Sequence, residues 1–360
     1  MGEMAVVRCK LRAEGARAAA SGRHEAASGC PERQGGNKTL TGIEFESAWK
    51  LRKESFPDVV YFSTPGFIRY DTEWHKNSAL DFVSVSVTGK ACSLGCDHCN
   101  GHILSRMVPA ITPAQLASVA DKLAARGCRG FLLSGGADKN GSVPLGEFAE
   151  AVRDIKRKHG FCIAAHTGLV DDFLASRLAI AGIDAAMIDV IGSTSTIRRV
   201  CHLDASPQSY IASIRRLRAH NIPVAPHVVL GLDYGRLRGE VHALRALSTC
   251  DIQALVLVVV MPLAGTRMAH VSPPELPQLA EIFVLARHLF PTTSIFLGCA
   301  RPAGKYKSDV EVLAIRAGFN GIAFPGREVV SLAAELGLKA TFSDACCALS
   351  ALEPRVEEQV

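Results

Sequence analysis

The run Phe82-Val83-Ser84-Val85-Ser86-Val87-Thr88-Gly89-Lys90-Ala91-Cys92-Ser93-Leu94-Gly95-Cys96-Asp97-His98-Cys99 leads from a β-branched strand straight into a loop bearing three thiols. The thiols are spaced four and then three residues apart. A loop that short wraps one compact centre, and iron–sulfur clusters take cysteine thiolates, four of which saturate a cubane. No fourth cysteine lies nearby. One iron would then keep a vacant position for a small ligand, as the open site of a catalytic zinc does. Two plainer readings stay open: a structural zinc knot with His98 or His102 as fourth ligand, and a set of inert buried thiols. Zinc knots favour Cys-x₂₋₄-Cys pairs separated by a longer spacer, which this triplet lacks.

Downstream, β-branched runs alternate with helical periods, the pattern of a parallel sheet built from βα units. Strands are expected at 82–88, 129–134, 161–166, 185–191, 223–230, 252–260, 294–299 and 320–324. Helices are expected at 113–126, 145–159, 169–181, 208–220, 236–247, 275–289, 309–317 and 328–336. Eight of each predict an α/β fold, a closed (β/α)₈ TIM-type barrel over 81–337. An open doubly wound sheet is the alternative, but no first βα turn carries the Gly-x-Gly-x-x-Gly phosphate fingerprint. Catalytic groups of such barrels gather at the C-terminal ends of the strands, where the thiol triplet leaves the first one. Residues 1–40, rich in Ala, Gly, Arg and Ser without a period, are expected to be a disordered extension, 41–80 a lead-in with a helix at 43–53, and 338–360 a tail carrying a Cys-Cys pair.

Composition agrees with a large buried core: 48% of the 360 residues are hydrophobic and 21% charged. The longest apolar run, 254–264, is half a membrane span and contains Pro262, so no transmembrane helix is expected. The formal charge of +5 owes +3 to the first forty residues, and aromatics make up only 6%, which gives no footprint for nucleic acid. Twelve cysteines without a secretory leader point to metal or redox chemistry in a reducing cytoplasm rather than to a disulfide scaffold. Cys9 and Cys30 have no local partner spacing and receive no role. Cys128, Cys162, Cys201 and Cys250 read as structural, with Cys162 a minor candidate for the barrel interior.

Cys-x₃-Cys-x₂-Cys after the first strand of a (β/α) barrel resembles the motif of radical S-adenosylmethionine (radical SAM) enzymes, a likeness covering about residues 81 to 347. The resemblance implies a [4Fe–4S] cluster held by Cys92, Cys96 and Cys99, with the cofactor's methionine group on the fourth iron. Reductive cleavage would give a 5′-deoxyadenosyl radical that abstracts a substrate hydrogen in a cavity closed to water. His98 occupies the position of the aromatic residue packed near the adenine. Ser134, Gly135 and Gly136 match the segment whose backbone meets the cofactor's amino group, although Ala137 and Asp138 stand where many members have Glu. Asp189 is expected to bind ribose, with the reading as a helix N-cap equally open. Gly231, within Val228–Leu232, matches the adenine strip. Residues 261–266 would shape the pocket mouth, with Val259 and Val260 against the purine.

A second set, Cys299 after the seventh strand and Cys346-Cys347 in the tail, would meet if the tail folds over the barrel, and Arg301 beside them would lower the thiol pKa values. The pattern from 187 to 347 looks most like the biotin synthase group that includes the two-component lipoyl synthases. That implies an auxiliary iron–sulfur cluster and a transferase inserting sulfur into a C–H bond. The N-terminal Cys-x₄-Cys-x₅-Cys set of single-chain lipoyl synthases is missing. Lys305, Lys307 and Arg301 are candidates for positioning a small-molecule carboxylate or a carrier-bound acyl chain. Implied partners are an electron donor such as flavodoxin or ferredoxin and a second radical SAM subunit, with neither nucleic acid nor membrane. A radical enzyme of another reaction type without the auxiliary cluster, and a non-enzymatic zinc-binding protein, stand as alternatives.

Overall fold

The computed structural model describes residues 44–350, so the expectations for 1–40, for Cys9 and Cys30, and for the last ten residues lie outside it. Eleven strands form one sheet: β1 (Val59–Ser63), β2 (Val83–Ser86), β3 (Val108–Pro109), β4 (Gly130–Ser134), β5 (Cys162–His166), β6 (Ala185–Asp189), β7 (Val224–Leu230), β8 (Ala254–Val259), β9 (Ser294–Leu297), β10 (Gly321–Ala323) and β11 (Lys339–Ser343). Every ladder is parallel, and the order is β11-β1-β10-β9-β8-β7-β6-β5-β4-β2-β3. All eight predicted strands are present, each followed by a helical connection, in the α/β architecture of a partial TIM barrel. Closure differs from the sequence expectation. No ladder among the described residues joins β3 to β11, so the sheet curls without sealing.

Two of the three added strands come from segments read as lead-in and tail. β1 pairs with both β10 and β11, extending the sheet past the eighth predicted strand. Its core, Val59 to Ser63, is a good strand sequence, but the prolines flanking it at 57 and 65 give it the look of irregular chain.

Parity along the strands sorts side chains into two cores. In β8, Leu255, Leu257 and Val259 face outward against the helices, while Ala254, Val256 and Val258 face the barrel interior. The same alternation turns Ala164 of β5, Ala185 and Met187 of β6, and Ala225 of β7 inward. These small inward residues make room for the C-terminal segment, which turns into the barrel and packs in the same buried cluster; its short helix Cys347–Ser350 touches β1, β6, β8 and β10. Ala348 and Leu349 are fully buried there. Apolar side chains buried in this way each contribute about 1.5–3 kcal/mol for Leu-sized groups. No helix among the described residues is long and apolar enough to cross a membrane.

Candidate metal and cofactor site

The cysteine loop leaves β2 at its C-terminal end and winds through successive tight turns. Gly95 (φ +57°) takes the left-handed conformation between Cys92 and Cys96, which L side chains rarely adopt. The Cys99 and Asn100 amides both donate to the Cys96 carbonyl, and the His102 amide donates to that of Cys99. The result brings ligand atoms of Cys96, His98 and Cys99 within 4.8 Å of one another, the only such trio of His, Cys, Asp or Glu among the described residues. Cys92 lies outside that trio but within electrostatic reach of Cys96. The Cys96 thiol is held far above the usual range by hydrogen bonding to Cys201 and by burial, and Cys99 is pushed up to about 12 by Cys96 and burial. Crowded sulfurs of this kind become thiolates only when a cation shares their space, so the donor set suits a metal centre.

Two supports hold the loop in place. The first is the glycine pair after β4. A Cβ on Gly136 would lie 1.9 Å from the Ala91 carbonyl oxygen and 2.6 Å from the Cys92 Cα, so only glycine permits this contact. The Gly136 amide donates to Thr88 Oγ1 (2.7 Å), and the Ser93 amide donates to the Ala137 carbonyl (2.8 Å). Ser134 Oγ donates to the His166 carbonyl at 3.1 Å.

The second support is Asp97, which the sequence reading did not single out. Its buried carboxylate accepts from Tyr234 Oη (2.5 Å) and Arg267 Nη1 (3.1 Å) and pairs with His202 Nε2 (2.9 Å). Burial would raise its pKa, but Tyr234, His202 and Arg267 together hold it below the usual carboxylate range. The helix Thr194–Cys201, absent from the predicted elements, supplies the Val200 carbonyl that accepts from the Asp97 amide, 2.8 Å away. Its one local signal was Ser193, whose hydroxyl caps it by accepting from the Thr196 amide.

Inside the barrel, the parity of β5, β6 and β7 gathers His166, Asp189 and His227. His166 Nε2 is 3.5 Å from Asp189 Oδ2, and the rings of His166 and His227 stack with centroids 5.7 Å apart. Asp189 is not sealed in the core: its side chain is 48% accessible and opens on the interior. Burial within the barrel opposes its charge, but His166, His227 and His98 outweigh that and depress its pKa. Burial lowers His227 to about 4, whereas in His166 the Asp189 charge overcomes burial and raises the pKa. His98 Nδ1 is buried with no hydrogen-bond partner. Gly231 (φ +80°) ends β7 with its amide donating to Glu240 Oε1 at 3.0 Å.

The tail brings Cys346 and Cys347 into the same interior, where Cys346 Sγ lies 3.9 Å from Met187 Sδ. Cys299 is within electrostatic reach of Cys346, yet the three sulfurs do not form a trio within 4.8 Å. Desolvation and the neighbouring Cys346 raise Cys299 to about 11, outweighing the lowering that Arg301 does exert. Arg301 is chiefly engaged elsewhere. It is buried against Glu311, and its guanidinium also donates to the carbonyls of Gly298, Ala323 and Phe324. Lys307 pairs with Glu311 and Lys305 with Asp309. Arg301 is thus fully engaged inside the fold and is not free to position a substrate, whereas Lys305 stands at the surface in a pair within its own helix. Cys162 faces the interior from β5, and Cys128, Cys201 and Cys250 are buried or half-buried in the outer core.

Residues 86–236 match the radical SAM superfamily. Among curated relatives, biotin synthase from Chlorobaculum parvum is 27% identical over 159 residues, covering 44% of this chain and 47% of that protein. Biotin synthase from Syntrophotalea carbinolica is 25% identical over 241 residues, covering 64% and 71%. The match spans about half the length of the first of these relatives. Among solved structures, methylornithine synthase (PylB) aligns with a TM-score of 0.54 at 17% identity over 82% of this chain and 88% of that one. The FeFe-hydrogenase maturase HydG from Carboxydothermus hydrogenoformans aligns with a TM-score of 0.58 at 14% identity, covering 84% and 72%. At such identities the two structures share the fold with this chain and no more.

Proposed function

From the premise that the chain belongs to the radical SAM superfamily, we propose that Cys92, Cys96 and Cys99 hold the [4Fe–4S] cluster and that S-adenosylmethionine binds beside it along the C-terminal ends of β4 to β8. The observation that carries this reading is the thiol loop itself, tightly wound at the end of β2 and braced on the glycine pair after β4. Bound there, cluster and nucleotide supply reductive radical chemistry toward a substrate C–H bond.

This chain's residues divide the remaining work. Backbone groups of Ser134, Gly135 and Gly136 meet the methionine amino group, held beside the cluster because Gly136 packs directly on Ala91 and Cys92. Asp189, kept ionised by His166, accepts from the ribose hydroxyls. The orphaned Nδ1 of His98 takes a polar partner from the nucleotide, because a buried polar atom without one is costly. The turn at Gly231 shapes the adenine strip with Val228–Leu232.

Within that chemistry we favour sulfur insertion. Support comes from the sequence likeness to biotin synthases and from Cys346 and Cys347 in the barrel interior, with Cys299 within electrostatic reach of Cys346, as candidates for an auxiliary cluster. The substrate is then a small molecule or a carrier-bound acyl chain, and a low-potential donor such as flavodoxin or ferredoxin supplies electrons. Iron and acid-labile sulfide counts after anaerobic reconstitution test the whole reading. About eight irons per chain, falling to about four in Cys346→Ser/Cys347→Ser, are expected. About four irons in the unaltered chain would mean a radical enzyme without the second cluster, and zinc without iron would mean a structural knot.

A further inference from the structure

We propose that the face outside the cysteine loop, formed by Arg199, Arg236, Arg238 and Arg267, docks an acidic one-electron carrier protein that reduces the centre within. The inference rests on the loop holding a redox cluster and adds the place and chemistry of the partner. Charge on this face is layered. Asp97 and Asp233 are 3% and 0% exposed, while the guanidiniums that neutralise them stand outward: Arg267 at 73%, Arg199 at 51% and Arg238 at 52%. Arg238 Nε lies 3.1 Å from Asp233 Oδ2, Arg199 pairs with Asp233 Oδ1, and Arg267 Nη1 reaches Asp97 Oδ1. Arg236 is exposed in the same turn, its amide donating to the Asp233 carbonyl, and pairs with no carboxylate among the described residues. Four arginines stand against the buried carboxylates of Asp97, Asp233 and Glu240, which leaves the face net positive with its guanidiniums toward solvent.

The patch is continuous with the loop. Arg199 stacks over the Tyr234 ring (5.5 Å), and Tyr234 in turn donates to Asp97, the residue after Cys96. His102 packs on the turn at Gly265, two residues before Arg267, and its neighbour Ile103 is 54% exposed. An exposed apolar side chain beside a charged surface suits a small, transient interface of the electron-transfer kind. Complementary charge raises the encounter rate and fixes orientation more than it adds affinity. A carrier of acidic substrate would have no reason to seat itself against the outside of the cysteine loop, whereas electron tunnelling falls steeply with distance and favours that seat. In the step itself the carrier's reduced flavin loses one electron and the cluster gains it, with no other bond made or broken in the cluster.

Bacterial flavodoxin serves as the probe, both for binding by fluorescence anisotropy and, in its reduced form, for stopped-flow reduction of the reconstituted chain. Raising salt from 50 to 500 mM is expected to slow reduction about tenfold. Arg236→Glu and Arg238→Glu are each expected to weaken binding and slow reduction several-fold, with photoreduction by the uncharged small molecule 5-deazariboflavin unchanged. Arg236→Glu removes no ion pair and so guards against a misfolded loop. Flavodoxin reduction indifferent to salt and to both variants would overturn the proposal. So would variants that keep flavodoxin binding but lose an acidic acyl carrier protein. A wild-type chain that assembles no iron would instead sink the reading of the triplet, and anisotropy on that iron-free chain would still decide the docking face.

Discussion

Asp97 shows what a single side chain does for the loop that carries the thiols. It is a buried anion with three partners, brought from positions 105, 137 and 170 residues away. Removing one member of a buried charged network costs about 3 kcal/mol, because the others lose their counter-charge. Asp97→Ala is therefore expected to lower unfolding free energy by about that amount and to cut iron loading several-fold, read by urea titration and iron assay. A variant that unfolds and loads like the parent would remove Asp97 from the account. The thiol triplet itself was legible because its spacing is local to one loop. Asp97, sitting inside that same loop, was not, since its value lies in partners that only the folded chain brings near. Arg301 failed in the opposite sense: a basic residue after a strand looks available until Glu311, ten residues on, is seen to bury with it.

At the scale of the strand, the period of two decides which titratable groups face the interior. His166, Asp189 and His227 lie on the same parity as Ala164, Met187 and Ala225, a relation readable from the sequence once strand bounds are fixed. What the bounds alone do not give is the balance of charges. Desolvation keeps His227 neutral down to about 4, even though Asp189 favours its charge and His166 disfavours it. The unfolded chain would protonate this residue below its ordinary pKa of about 6.5, so the unfolded state binds more protons between about 4 and 6.5. Stability should accordingly fall as pH drops through that window. His166, raised by Asp189, works the other way: its contribution is present at acid pH and fades as pH rises through its folded pKa. His227→Gln is expected to lessen the acid loss by about 2 kcal/mol at pH 4.5, measured by denaturation at pH 7 and pH 4.5. Equal acid sensitivity in both proteins would contradict the burial argument.

For the molecule as a whole, the alternation of strands and helices was enough to specify the α/β barrel, because each βα unit announces itself within about thirty residues. Closure and the ends were not legible. β1 joins the sheet beside β10 across some 260 residues, and the tail enters the barrel as a plug, both consequences of long-range packing rather than of local pattern. Those same ends build the interior, bringing Cys346 within reach of Met187 and His166. On the reading proposed above, this frame holds a reducible cluster against S-adenosylmethionine. That reading is tested most directly by incubating the anaerobically reconstituted chain with dithionite and S-adenosylmethionine and quantifying 5′-deoxyadenosine. 5′-Deoxyadenosine is expected to accumulate with the intact chain and not with Cys96→Ala. Its absence from an intact chain loaded with iron and sulfide, or equal yields from the two proteins, would contradict that reading.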